Sequence, residues 1–141
     1  MIKVYLAGSI REDRENFCRF WRMCVENYFR DDEDVEFLNP IAGKDLSKEY
    51  DPAEIYEEDI ECVKESDIIF VEYSRDDYPY VGSTMELQLA HYLDKDIIMW
   101  GMRHKGHPFI EAIMKYNYRS SSFIEALAEL RDLIGYHKMD L

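Results

Sequence analysis

Two acidic residues stand on the apolar faces of the helices that carry them. Placed about 100° apart per residue, Ser83 to Leu93 form an amphipathic pattern in which Glu86 projects between Leu93 and Ala90. Gln88 and His91 take the polar side. In the segment from Asp51 to Ser66, Asp59 falls inside the arc of Ile55, Tyr56, Ile60, Cys62 and Val63. Its neighbours Glu57, Glu58, Glu61 and Glu65 fall outside. A buried carboxylate is costly unless it is hydrogen-bonded, paired or put to use. Each acid has an ordinary structural explanation. Ser83-Thr84-Met85-Glu86 is a capping box in which Glu86 bonds back to the Ser83 amide, and Asp59 can hold a loop amide. Two inward acids near one cleft point instead to chemistry, without naming the bond that breaks.

The elements that must position these acids alternate strand and helix. Ile2 to Ala7 reads as a short strand that stops at Gly8-Ser9. Glu15 to Phe29 follows as a helix with Phe17, Phe20, Trp21, Cys24, Val25 and Tyr28 on one face. Val35 to Leu38 is a strand halted by Asn39-Pro40. Asp51-Pro52 is an N-cap followed by proline, which opens a helix running to about Ser66. Ile68 to Tyr73 is apolar on both faces, as a central parallel strand is. The Ser83–Leu93 helix, a strand from Asp96 to Trp100, a short strand over Tyr116 to Arg119 and a helix from Ser121 to Leu133 complete the order. In the last helix Phe123, Ile124, Leu127 and Leu130 are expected inward.

This alternation predicts an α/β fold, with right-handed crossovers and a parallel sheet covered on both faces. In such sheets ligands bind beyond the carboxyl ends of the strands. That rule singles out Gly8-Ser9, Asn39, Tyr73 and the Gly82-Ser83 turn. The 141 residues suit one domain spanning the chain,.

Bulk charge narrows the function classes. A formal net charge of −13 repels polynucleotide backbones and anionic membranes,. No apolar run approaches the roughly 20 residues needed to cross a bilayer. The expectation is a cytoplasmic protein that binds neither nucleic acid polymer nor membrane. Cys18, Cys24 and Cys62 form no CxxC pair, and His104 and His107 are too weak a pair to imply a metal site,. No cofactor is expected.

Three stretches resemble the nucleoside 2-deoxyribosyltransferase family and the related deoxynucleoside 5′-monophosphate N-glycosidases. Val4-Tyr5-Leu6-Ala7-Gly8-Ser9-Ile10-Arg11 is similar to the family's opening strand and glycine turn, in the form closest to the glycosidases. Asp59 to Ile69 is similar to its helix-to-strand segment. Val81-Gly82-Ser83-Thr84-Met85-Glu86-Leu87 is similar to the stretch that holds its nucleophile.

The resemblance implies a flavodoxin-like three-layer sandwich with about five parallel strands, and a retaining double displacement. Glu86 would attack the anomeric carbon and form a covalent glycosyl ester, which a second base or water resolves. Asp59 would protonate or hold the leaving base, and Tyr5 would orient Glu86. Gly8, Ser9 and Arg11 would line the 5′ side of the sugar, with Gly82 and Ser83 beside the substrate. Tyr80 stands six residues before Glu86, where the transferases carry an acid and the glycosidases a serine, so the 5′ group is open. The expected partner is a small nucleoside or nucleoside monophosphate, bound by a homo-oligomer to which Ser120 and Ser121 contribute across subunits. Transfer of deoxyribose between bases, hydrolysis of 5′-monophosphates and a non-catalytic nucleotide-sensing module are the alternatives.

Overall fold

A computed structural model describes residues 1–140. Five strands form one sheet in the order β2-β1-β3-β4-β5: β1 (Ile2–Ala7), β2 (Val35–Leu38), β3 (Ile68–Glu72), β4 (Asp96–Trp100) and β5 (Tyr118–Ser120). Every neighbouring pair is parallel. The helices are α1 (Glu15–Tyr28), α2 (Pro52–Glu65), α3 (Val81–Tyr92), α4 (Pro108–Met114) and α5 (Phe123–Lys138). This strand order is that of the flavodoxin-like fold.

The side-chain alternation of β1 divides the core in two. Ile2, Val4 and Leu6 pack with Trp21 and Val25 of α1 and Leu127, Leu130 and Ile134 of α5. Tyr5 and Ala7 face the opposite layer, with Val63 of α2, Leu87 and Ala90 of α3, and Ile110 and Ile113 of α4. β3 is buried along its whole length, including the charged Glu72. The strand order reverses between β1 and β3, so the crevice beyond their carboxyl ends is where ligands are expected. Tyr5, Gly8, Glu72 and the start of α3 all border it.

Several elements differ from the sequence expectation. α1 turns Cys18, Trp21, Arg22 and Val25 inward and leaves Phe20 and Tyr28 at 62% and 50% exposure. The inward set obeys the i, i+3, i+4, i+7 rule, but it includes an arginine, which a hydropathy pattern assigns to solvent. α3 begins at Val81 rather than Ser83, with Tyr80 as its left-handed N-cap residue and no side-chain cap. The Ser83–Glu86 capping box therefore does not form. β5 lies two residues later at its start than expected, and Ile124 is 74% exposed because Ser122 caps α5 and sets its phase. α4 was not foreseen, although His107-Pro108 repeats the cap-then-proline signal of Asp51-Pro52,. Among the described residues no helix is long and apolar enough to cross a membrane.

Candidate active site

Glu86 lies on the second turn of α3 and is 9% exposed. Its Oε2 has no hydrogen-bond partner among the described residues. Burial pushes its carboxyl up to about 7 from the ordinary 4.5. Tyr5 and Arg22 oppose that rise, while the charge of Asp59 adds to it. Tyr5 and Glu86 also act on each other in the opposite sense: burial first, then the Glu86 charge, raises the phenol's pKa. The Tyr5–Glu86 pair is close without meeting the geometry of an aligned hydrogen bond.

Asp59 reaches the same place from α2. The two acids, with Ile55, Tyr56, Gly82 and Met85, line a cavity of about 320 Å³ between α2 and α3. Burial raises the Asp59 carboxyl as well, while Lys44 draws it down. A second hollow of about 200 Å³ shares Ile55 and Asp59 with the first and extends to Ile10, Pro40, Lys44 and Tyr50. A wider hollow of about 620 Å³ on the outer side of α2 is also lined by Asp59, so this acid borders three spaces. Larger and shallower hollows lie over the outer face of α1 and at the α1–α5 corner, but neither contains an inward pair of acids. A Cβ at Gly82 would meet nothing within 4 Å, so glycine here keeps the cavity open rather than relieving a clash.

The residues expected around the 5′ group are already engaged with the protein itself. Glu72, fully buried at the end of β3, accepts from the Ser9 amide at 3.0 Å and the Ser9 hydroxyl at 2.6 Å on Oε1. Its Oε2 accepts from the Ser74 amide and hydroxyl and from the Tyr80 hydroxyl. Tyr80 is fully buried, its hydroxyl also accepts from the Arg75 amide, and its ring lies against Tyr73 and Tyr78. Burial and Glu72 hold the Tyr80 phenol far above its ordinary value. A left-handed tyrosine is sterically costly, and these contacts hold it in place,. Gly8 permits the close approach: at φ 149°, a Cβ there would stand 2.9 Å from that of Glu72.

Arg11 stands between two acids. It donates to both oxygens of Asp13, at 2.9 and 2.7 Å. Its Nη1 stands 3.1 Å from Asp77 on the loop after β3, an ion pair rather than an aligned hydrogen bond. Ser83 is buried in the first turn of α3. Ser120 donates to Glu125, and Ser121 is exposed. His107 caps α4, and His104 contacts the Pro79 carbonyl.

Sequence patterning does not single out two residues here: Glu72 lies within the apolar pattern of β3, and Arg22 carries no apolar signal on α1. Arg22 is fully buried and donates to the carbonyls of Leu6, Ser9 and Cys18 at 3.1, 3.2 and 3.0 Å. The three bonds bring a cation to the carboxyl end of β1, beside the acids.

No family model matches the chain, and no curated protein does. Solved structures share its fold. A conserved protein from Enterococcus faecalis V583 superposes with a TM-score of 0.73 at 17% identity, over 94% of this chain and 98% of that one. A 2-deoxyribosyltransferase from Bacillus psychrosaccharolyticus gives 0.63 at 18% identity, over 89% and 90% of the two chains. A CMP N-glycosidase from Clostridium botulinum gives 0.63 at 16% identity, over 92% and 98%. At these identities the shared property is the fold, over nearly the full length of each chain.

Proposed function

We propose that this chain cleaves the N-glycosidic bond of 2′-deoxynucleosides and transfers the deoxyribosyl group to a second nucleobase. One observation carries the reading: carboxyls from two helices, Glu86 and Asp59, line one cavity between α2 and α3. The chains of this fold include a 2-deoxyribosyltransferase and a CMP N-glycosidase, and that agreement supports the same chemistry.

Glu86 attacks C1′ of the sugar as the bond from C1′ to the base nitrogen breaks. The electron pair of that bond passes to the base, and Asp59 supplies or stabilises the proton that the base takes up. The product is a glycosyl ester on Glu86. An acceptor base then takes the place of the first, its nitrogen attacks C1′ as its N–H proton passes to Asp59, and the ester bond returns its electron pair to Glu86. A carboxyl raised by burial suits both roles. Asp59 holds a proton more readily than an exposed aspartate, and Glu86, without a hydrogen-bond partner on Oε2, is a free nucleophile once ionised. Tyr5 orients Glu86 from the sheet.

The free nucleoside is the preferred substrate in this reading, because Asp13 and Asp77 stand beside Arg11 and would repel a phosphate brought to it. Hydrolysis of 5′-monophosphates is the second reading, favoured by the Gly8–Arg11 turn at the strand edge. The apolar side chains Tyr56, Val81 and Met85, each more than 60% exposed, lie on or beside the cavity's walls. A second copy of the chain covering them would complete the site, so we include a homo-oligomer in the proposal. The direct test is mass spectrometry of the protein mixed with a deoxynucleoside. A deoxyribosyl adduct on Glu86, and base exchange when a second base is added, are the expected results. No adduct and no base exchange, with the protein folded, would overturn the reading.

A further inference from the structure

The loop of residues 39–51, between β2 and α2, sets a cation beside one of the two site acids. Arg19 of α1 donates to the carbonyls of Ile41 and Lys44, and Asn39 accepts from the Ile41 amide at 3.1 Å. These bonds fix the backbone at Lys44. Its ammonium then reaches α2 and donates to Glu58 at 2.8 Å, one residue before Asp59. It also stands 5.5 Å from the centre of the Tyr50 ring, whose hydroxyl accepts from the Asp45 amide at 3.0 Å. An ammonium has three N–H donors. Among the described residues only Glu58 accepts from this one, which leaves two donors for a ligand.

Lys44 and Asp59 line the same hollow of about 200 Å³, with Tyr50, Ile10 and Ile41 among its walls. Lys48 also borders it but is exposed, and Lys44 is the cation held in place. Asp59 and Ile55 belong as well to the cavity that contains Glu86. A nucleobase held at Asp59, with its sugar at Glu86, therefore has the Lys44 hollow beside it. Apolar walls with a few placed polar groups suit a flat ring with polar edges.

The donors select the kind of ring. An ammonium donates and never accepts, and it favours an acceptor on which negative charge gathers. In a pyrimidine nucleoside the carbonyl oxygen O2 sits on the carbon next to the glycosidic nitrogen. As the bond from C1′ to that nitrogen breaks, its electron pair spreads onto O2. A purine carries no oxygen on either atom next to its glycosidic nitrogen. The Lys44 hollow is also the smaller of the two, which favours one ring over two.

We propose that Lys44 is a specificity-determining residue, which selects pyrimidine 2′-deoxynucleosides by donating a hydrogen bond to O2 of the leaving base. Lys44 gives up no proton in this step. The proton that the base takes up still comes from Asp59, and the ammonium stabilises the charge on O2 as the bond breaks. The inference rests on the proposed cleavage of the glycosidic bond, but recognition of the base can be measured without turnover.

Calorimetry on the full chain carrying Glu86→Gln, with 2′-deoxyuridine and 2′-deoxyadenosine, reads binding alone. Deoxyuridine is expected to bind the more tightly, and adding Lys44→Met to weaken it by about tenfold. The loss for deoxyadenosine is expected to be several times smaller. With Glu86 intact, Lys44→Met should lower kcat/KM for deoxyuridine by on the order of 100-fold, because the charge on O2 grows toward the transition state. Equal losses for the two nucleosides, or tighter binding of deoxyadenosine by the Glu86→Gln protein, overturn the proposal. If Lys44→Met does not fold, the Glu86→Gln protein decides alone. There 2-thio-2′-deoxyuridine, whose sulfur is a weak acceptor, should bind more weakly than its 4-thio isomer. Binding of the 2-thio compound as tight as that of the 4-thio one overturns the proposal equally. Lys44-dependent binding of deoxyuridine in a protein that forms no glycosyl adduct would instead support the subsite and remove the proposed reaction.

Discussion

Ser9 donates twice to one oxygen of Glu72, from its amide at 3.0 Å and its hydroxyl at 2.6 Å. The turn that ends β1 is thereby tied to the end of β3, across the point where the strand order reverses. Tyr80 and Ser74 complete the knot on the other oxygen. Ser9 and Tyr80, which the resemblance sets near the substrate, both bond in this fold to a buried carboxylate.

Tyr80→Phe tests that role. It removes a buried donor to Glu72 and an acceptor from Arg75, a loss of about 1–3 kcal/mol of stability. Urea unfolding measures it, and turnover of a free nucleoside should stay within a few fold of the wild type. A large fall in kcat at unchanged stability would put the hydroxyl on the substrate instead.

Glu86→Gln should abolish turnover, because an amide forms no glycosyl ester. It should also stabilise the protein at alkaline pH. Folding raises the Glu86 carboxyl from 4.5 to about 7. Its stabilising contribution is therefore complete below about 4.5 and is lost as pH rises through about 7. At pH 8 the wild type carries a buried carboxylate that glutamine replaces with a neutral group. A gain on the order of 1–3 kcal/mol is expected there, and little difference at pH 4. Thermal unfolding at the two pH values is the measurement.

Activity should fall on the acid side with a midpoint near the Glu86 value of about 7, because only the ionised carboxylate attacks C1′. An acid limb below 5 in a kcat/KM profile would mean that an ordinary, solvated carboxyl does the chemistry.

Asp59→Asn should slow release of the base far more than it harms folding, since among the described residues Asp59 accepts no hydrogen bond that its amide would lose. A fall of about 10²–10⁴-fold in the first step is the range expected for a lost proton donor. Bases that leave readily without protonation should suffer least. Equal losses for good and poor leaving bases would make Asp59 a binding residue only.

Asp77→Ala should open Arg11 to an external anion. Binding of a deoxynucleoside 5′-monophosphate to the inactive Glu86→Gln protein is expected to tighten severalfold, while the free nucleoside is unaffected. Adding Arg11→Ala should cancel the gain. Calorimetry with both ligands decides between this and a purely structural ion pair.

Local patterning was enough for the order of the five strands and of every long helix, with the short α4 as the exception. Alternating strand and helix periods, Asp51-Pro52 before α2 and the two-sided apolar run of β3 all reflect short-range physics. The same periodicity put Asp59 and Glu86 on inward faces, because a helix wheel depends only on a few neighbouring residues. Their meeting in one cavity followed from the order β2-β1-β3-β4-β5, which brings α2 and α3 side by side on one face of the sheet. Which hydroxyls were free was decided only in three dimensions. Ser9 and Tyr80 look available in the chain, yet both are used by Glu72, a partner 63 and 8 residues away. Arg22 was hidden for the same reason. A charged residue is read as solvent-facing unless carbonyls from distant turns satisfy its donors, and only the packing of α1 over the end of β1 supplies Leu6 and Ser9 to do so.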